Sequence, residues 1–339
     1  MESLAVHYRP TVFSDVCGQT SIVKILEKQI ESNNIKNCYL FCGPSGCGKT
    51  TIARIFANEI NMLQGSPIEI DGASNNGVDN VKQIIASASE RALDGGKYKI
   101  YIIDECHMLT TQAWNAFLKC IEEPPMFTIF IFCTTDPQKI PATILNRVMR
   151  FNFSKISSDI IKDRLIKICH NEGYDNYLDA CDYISRICNG QMRDAIAMLE
   201  KCAGYSIDLS VNNVLEALGD YSYDIFFSLI NNLIDGNVEE VLNTVYTVDY
   251  KGGDLKLFVE KFLSFCLDVA KYSLCKDYRV TSIPSTMVEN LNKATNFENA
   301  ISYYNYVVDK LLSLKNMIKN DINPRSTIEV MLMNIARCQ

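Results

Sequence analysis

The apolar run CYLFC at Cys38–Cys42 feeds directly into GPSGCGKT at Gly43–Thr50, which in turn opens a helical pattern over Lys49–Ile60. No other feature constrains the fold as tightly. A chain that leaves a buried strand, curls through glycines and enters a helix aims backbone N–H groups and a helix N-terminus at one point in space. Together with a lysine, those groups suit a triphosphate, and GxxxxGK[ST] between a strand and a helix is the phosphate-loop spacing. Gly43, Pro44, Ser45, Gly46, Cys47, Gly48, Lys49, Thr50 and Thr51 form the expected cradle. Lys49 would reach the β- and γ-phosphates, and the Thr50 hydroxyl would ligate Mg2+.

The rest of the first 155 residues alternates in the same way. Short apolar runs at Ile68–Ile70, Lys99–Ile103 and Phe127–Cys133, with a shorter one at Met149–Phe153, read as strands buried on both faces of a parallel sheet. Between them lie helical patterns at Val78–Ala92, which follows Asn76–Gly77, and Thr111–Glu122, which Pro124–Pro125 stops. The alternation predicts an α/β domain with right-handed crossovers. Asp104 and Glu105 close one strand, at the end where open parallel sheets bind ligands. Asp104 would hold Mg2+ through water, and Glu105 would polarise the attacking water. Thr135, after the next strand, is placed to hydrogen-bond the γ-phosphate or that water. His107 reads as a packed turn residue rather than a base, because Glu105 already fills that role.

From Ser157 the period changes to that of helices. Ser157–Asp159 starts one, and others read at Leu178–Cys188, Met192–Cys202 and Val211–Leu218, with Gly219 as a terminator. Further helices read at Tyr223–Ile234, Val238–Val248, Asp254–Leu274, Asn296–Ile318 and Ser326–Arg337, with Lys276–Ser285 as a connection. The expected domains are therefore 1–156 (nucleotide-binding), 157–219 (a small helical domain) and 220–339 (all-helical).

Composition excludes some classes. The 339 residues are 47% hydrophobic and 22% charged, ordinary for a globular protein. No run approaches ~18 uninterrupted apolar residues, so no spanning helix and no membrane partner is expected. MESLAVHYRP lacks a basic start followed by an apolar run, so a cytoplasmic address follows. The 14 cysteines show no CxxC spacing and the three histidines are scattered. Buried reduced thiols are expected and a zinc site is not. A net charge of −7 argues against a surface coated for nucleic acid and leaves room for a local basic strip.

Five stretches carry a family resemblance: YRPTVFSDVCGQ (Tyr8–Gln19), IEIDGASNNGVD (Ile68–Asp79), YIIDECHML (Tyr101–Leu109), AFLKCIEEPP (Ala116–Pro125) and TTDPQKIPATILNR (Thr134–Arg147). In this order they resemble the ATPase subunit of bacterial clamp loaders, the gamma/tau subunit of DNA polymerase III. The likeness covers most of the first 200 residues. Over 220–339 it rests on helical character and on NPRSTIEVML at Asn323–Leu332. It implies an AAA+ module, a helical lid and a collar that oligomerises. It also implies ATP and Mg2+ as cofactors, and other loader subunits (a hetero-pentamer), a sliding clamp and primer-template DNA as partners.

Matching motifs carry roles with them. Tyr8–Gln19 resembles the adenine-side box, with Val16 and Cys17 against the base. Arg147 matches the arginine of the family's Ser-Arg-Cys motif, which enters the neighbouring subunit's ATP site. Arg193 matches the lid arginine that touches the γ-phosphate of its own site. In other nucleotide hydrolases a trans arginine is worth ~10³–10⁵ in rate. The segment Ser74–Gly77 opens a helix that resembles those gripping duplex phosphates, so Asn75, Asn76 and Lys82 are the implied DNA contacts. The family also suggests Ala88–Asp94 as a clamp contact. There are departures: Ser-Arg-Cys reads Asn146–Arg147–Val148, and the zinc module of cellular members shrinks to Asn61–Pro67 without cysteine. The absence of a long extension after Gln339 suits a compact viral or divergent version, working in host cytoplasm or at the nucleoid. Two alternatives stand beside this reading. A non-hydrolysing structural loader subunit is disfavoured by Lys49, Thr50, Asp104 and Glu105. A branch-migration helicase would end in a winged-helix domain with strands, where this chain reads as helical.

Overall fold

The computed structural model describes residues 2–90, 95–283 and 287–337. Its first compact unit comprises residues up to Glu172 together with Cys188–Glu200, and its second comprises Gly173–Ile187 and the chain from Lys201 onward.

In the first unit the elements run α1 (Leu4–His7), α2 (Thr20–Glu31), β1 (Cys38–Cys42), α3 (Lys49–Ile60), β2 (Ile68–Asp71), α4 (Val78–Ala88), β3 (Lys99–Asp104), α5 (Thr111–Glu122), β4 (Thr128–Thr134), α6 (Ala142–Leu145), β5 (Met149–Asn152) and α7 (Ser158–Glu172). All five strands are parallel, in the order β2-β3-β4-β1-β5. Because successive side chains alternate faces, each central strand feeds two cores. Tyr39, Phe41, Ile100, Ile102, Ile129 and Ile131 pack with Ile52, Phe56 and Leu26 from α3 and α2 on one face. Leu40, Tyr101, Ile103, Phe130 and Phe132 pack with Val81, Trp114 and Phe117 from α4 and α5 on the other. Burying each large apolar side chain contributes roughly 1.5–3 kcal/mol, which explains why these strands read as unbroken apolar runs.

Three features differ from the sequence expectation. The edge strands β2 and β5 are not buried on both faces: Ile68, Glu69 and Asp71 are exposed, and in β5 only Phe151 is buried. An edge strand has one sheet neighbour, and four residues are too few to lie fully beneath a helix. The α2 helix was not expected, although Ile22, Leu26 and Ile30 recur at its inner face. In α4 the helix ends at Ala88, while residues 91–94, part of the suggested clamp contact, lie outside the described residues.

The second unit holds α8 (Tyr177–Ile187), the C-terminal end of α9 (Met192–Tyr205), α10 (Val211–Leu218), α11 (Tyr223–Ile234), α12 (Val238–Tyr250), α13 (Leu255–Cys275), α14 (Val288–Ala294), α15 (Ala300–Ile318) and α16 (Arg325–Arg337). The short α14 lies just past the expected connection. Phe226, Phe258, Phe262 and Phe265 form one aromatic cluster between α11 and α13. Buried Asp268 is satisfied by Lys271 at 2.8 Å, the Ser282 N–H at 2.8 Å and the Ser282 hydroxyl.

Of the 13 described cysteines, 11 are buried and none is in a disulfide. Burial pushes the Cys38 thiol up to about 12. No described helix is long and apolar enough to cross a membrane.

Candidate active site

The phosphate loop leaves β1 and bends at Gly43, where an added Cβ would stand 2.6 Å from the Phe153 carbonyl oxygen. It turns through Gly46 (φ +66°) and Gly48 (φ +99°), left-handed backbone that glycine adopts without steric cost, and enters α3. Lys49 is 6% exposed, and its ammonium donates to the Gly43 and Pro44 carbonyls at 2.8 and 2.7 Å. The cation is thus folded onto the loop itself. A phosphate with two or more charges is a stronger acceptor than either carbonyl.

At the next strands' ends, the Thr50 hydroxyl donates to Asp104 Oδ2 at 2.7 Å. Two hard oxygen donors share this spot, a donor set that fits Mg2+ with waters completing its shell. The Glu105 N–H is capped by Asp104 Oδ1 at 3.0 Å, and its carboxylate Oε2 accepts from the Thr135 hydroxyl at 3.0 Å. His107 Nδ1 lies 3.2 Å from the same oxygen. In the chain by itself, Thr135 therefore engages Glu105, the residue it was expected to work beside.

One pocket, entirely within the first unit, gathers Ser45–Ile52, Asp104, Glu105, Val16, Cys17 and Arg193. Gly46 reaches Arg193's segment through its carbonyl, which accepts the Met192 N–H at 3.1 Å. Val16 and Cys17 line the pocket together with the apolar Ile156 and Ile196. Burial raises the Cys17 thiol despite the lowering influence of Arg164 and Lys167, so Cys17 lines the pocket as a neutral thiol. Gly43, Pro44 and Thr135 adjoin the pocket through the contacts above rather than lining it.

Sequence reading missed two arginines of the pocket. Arg164 donates to the Tyr8 carbonyl at 2.9 Å, tying the N-terminal segment to α7. Arg9 lines the pocket, and among the described residues its guanidinium has no hydrogen-bond or ion-pair partner; the same holds for Arg193. Burial, then the charges of Arg54 and Arg193, lower the Arg9 pKa. Unpaired guanidinium groups crowding one concavity are the mark of an anion site. The available signal was Arg9's place inside the adenine-side box, which reads as a base contact and conceals a cation.

The remaining expected residues lie elsewhere. Arg147 is outside the pocket, 40% exposed, bonded to Glu122 at 2.8 Å and to the Thr143 carbonyl at 2.7 Å. The Asn75 amide donates to the Asp71 carbonyl at 3.1 Å, Asn76 is exposed with its carbonyl accepting the Thr110 N–H, and Lys82 pairs loosely with Asp79 at 3.7 Å.

Residues 65–157 match the family described as DNA polymerase III, delta subunit. The DNA polymerase III subunit tau of Bacillus subtilis is 37% identical over 78% of this chain and 51% of its own length. The gamma/tau subunit of Mycoplasma genitalium is 33% identical over 84% of this chain and 52% of its own length. The chain thus spans about half the length of these curated relatives. Among solved structures, the Thermotoga maritima RuvB Holliday junction branch migration motor matches with a TM-score of 0.53 at 18% identity, over 73% of this chain and 86% of that one. That likeness speaks for the AAA+ fold alone, whereas the sequence matches place the chain in a family: it belongs to the gamma/tau subunits of DNA polymerase III.

Proposed function

We propose that this chain is an ATP-hydrolysing subunit of a sliding-clamp loader, acting with other loader subunits on a clamp and primer-template DNA. The observation that carries the reading is the convergence of Lys49, Thr50, Asp104, Glu105 and Arg193 on one pocket. A non-hydrolysing subunit has no use for all five. In this reading Lys49 swings from its two carbonyls to the β- and γ-phosphates. Thr50 and Asp104 hold Mg2+, which neutralises phosphate charge when bound. Glu105 accepts a proton from the attacking water, Thr135 steadies that water or the γ-phosphate, and Arg193 and Arg9 add positive charge. Val16 and Cys17 take the base. Residues 157–219 act as the lid and 220–339 as the collar.

Arg147 acts on a neighbouring subunit's nucleotide, and its outward, half-exposed position supports this, because a finger for another protomer must face away from its own pocket. Asn75, Asn76 and Lys82 contact DNA phosphates, reading shape rather than sequence. The branch-migration alternative loses support. Among the described residues after β5, strand-like pairing is limited to the isolated bridge Asp175–Asp208, and the Bacillus subtilis and Mycoplasma genitalium relatives are polymerase subunits.

The test is ATP turnover by the chain assembled with loader subunits, clamp and primed DNA, with Lys49→Ala setting the floor. Arg147→Ala should keep nucleotide affinity and lose ~10³-fold or more in turnover. Turnover at the parent rate would remove the finger assignment, and an idle parent would remove the ATPase reading.

A further inference from the structure

The backbone that presents Glu105 is unusually constrained. The residue sits at φ 44°, ψ 41°, a left-handed conformation costing a non-glycine residue about 1–3 kcal/mol. It is held there from several sides. The Glu105 N–H bonds Asp104 Oδ1, and its carbonyl accepts the Met108 N–H at 2.9 Å. Gly72 lies so close that a Cβ there would stand 2.9 Å from the Glu105 carbonyl oxygen. The carboxylate is fixed as well: both side-chain contacts, from Thr135 and His107, fall on Oε2. Neither engages Oε1.

We propose that His107 is a positioning residue that anchors Oε2 of Glu105 through an Nδ1–H hydrogen bond, so that Oε1 is presented to the attacking water. This inference rests on the reading of Glu105 as the water-polarising carboxylate. The need for a second anchor comes from Thr135. Its hydroxyl donates to Oε2 in the chain by itself, yet the proposed reaction calls for the same hydrogen at the γ-phosphate or the water. Once Thr135 turns to substrate, His107 remains. The imidazole ring is well placed to serve as that anchor. Its side chain is 12% exposed, and it rides on the short helical turn Cys106–Met108 that follows Glu105. The other neighbour of Nδ1 is the Thr134 hydroxyl at 3.3 Å, whose oxygen already accepts the Asp136 N–H at 3.0 Å. Two arrangements compete. Thr134 can donate to a bare Nδ1, which then points a lone pair at a carboxylate. Alternatively, Nδ1–H is shared between the carboxylate and the hydroxyl. A charged acceptor makes the stronger bond, so the second arrangement wins.

Two measurements on the full chain test this. The first is the ¹⁵N imidazole signal of His107, read without nucleotide. Nδ1 should carry the proton in the parent, and the signal should shift in Glu105→Ala. A proton confined to Nε2 overturns the proposal. The second is steady-state ATP turnover of the chain assembled with loader subunits, clamp and primed DNA, with ATP affinity, for three variants. His107→Ala should lower kcat about tenfold to a hundredfold, the scale of a misplaced reacting group, with affinity unchanged. His107→Asn places an amide N–H near the Nδ1 position and should recover most of the loss; His107→Gln, which reaches toward the Nε2 position, should not. Equal behaviour of Asn and Gln, or an Ala variant at the parent rate, overturns the anchor. A parent without any turnover would defeat the ATPase reading instead, and the imidazole signal would still decide the anchor.

Discussion

The two compact units differ in how often a glycine is pressed against backbone. In the first, a Cβ added at Gly43, Gly72 or Gly190 would meet backbone oxygen at 2.6, 2.8 and 3.0 Å, whereas Gly48, Gly77 and Gly95 would meet nothing within 4 Å. In the second, Gly173, Gly204, Gly219 and Gly252 would meet nothing within 4 Å, with Gly253, 2.9 Å from the Val248 carbonyl oxygen, as the exception. The first unit is therefore specified by backbone passing against backbone, where one residue type fits. The second is specified by apolar volume at helical spacing, where several types fit. Most of the motifs that carry the family resemblance lie in the first 200 residues, the part of the chain with these close backbone approaches.

If that contrast is right, the largest stability effect should come from removing volume in the second unit. Phe262 is 1% exposed and touches Phe226, Phe258 and Phe265. Phe262→Ala should destabilise its unit by about 3–5 kcal/mol, whereas Phe262→Leu should lose less than about 1.5 kcal/mol. Amide hydrogen exchange resolved to α11 and α13 measures both. A Leu variant as damaging as Ala would show that ring geometry, not volume, specifies this unit.

Gly72→Ala tests the other side. The new methyl would stand 2.8 Å from the Asp104 carbonyl oxygen, which also accepts the Gly72 N–H at 2.8 Å. Neither group is a flexible side-chain end, so the strands must part. The expected cost is about 1–3 kcal/mol, read as faster exchange in β2 and β3. The shift would move the peptide carrying Glu105, so turnover should fall further than stability alone accounts for.

The same contrast sets what the sequence could disclose. The phosphate loop was legible in full because glycine spacing and an adjoining apolar run leave one backbone path. The strands β1, β3 and β4 were legible because helices cover both faces. The exposure of β2 was not, since nothing in IEID says which strand becomes an edge. The contacts on Glu105 were hidden for other reasons: Thr135 joins the end of β3 to the residue after β4, a juxtaposition set by strand order rather than spacing, and His107, two residues on, meets the carboxylate through the left-handed turn at Glu105. Arg9 was masked by the apolar company of its segment.

The smallest predicted effect separates space from conformation within one unit. Gly204 and Gly219 both face open space. Gly204 lies in the last turn of α9, whereas Gly219 caps α10 at φ +71°. Alanine at 204 adds no clash and reduces the freedom of the unfolded chain, so Gly204→Ala should stabilise by about 0.4–1 kcal/mol. Alanine at 219 meets as little, but its Cβ crowds its own carbonyl in a left-handed cap, costing about 1–2 kcal/mol. Urea unfolding of the two variants should therefore move in opposite directions from the parent. Movement in the same direction would mean that α9 and α10 do not end where the glycines place them, and that glycine in this unit marks contacts rather than caps.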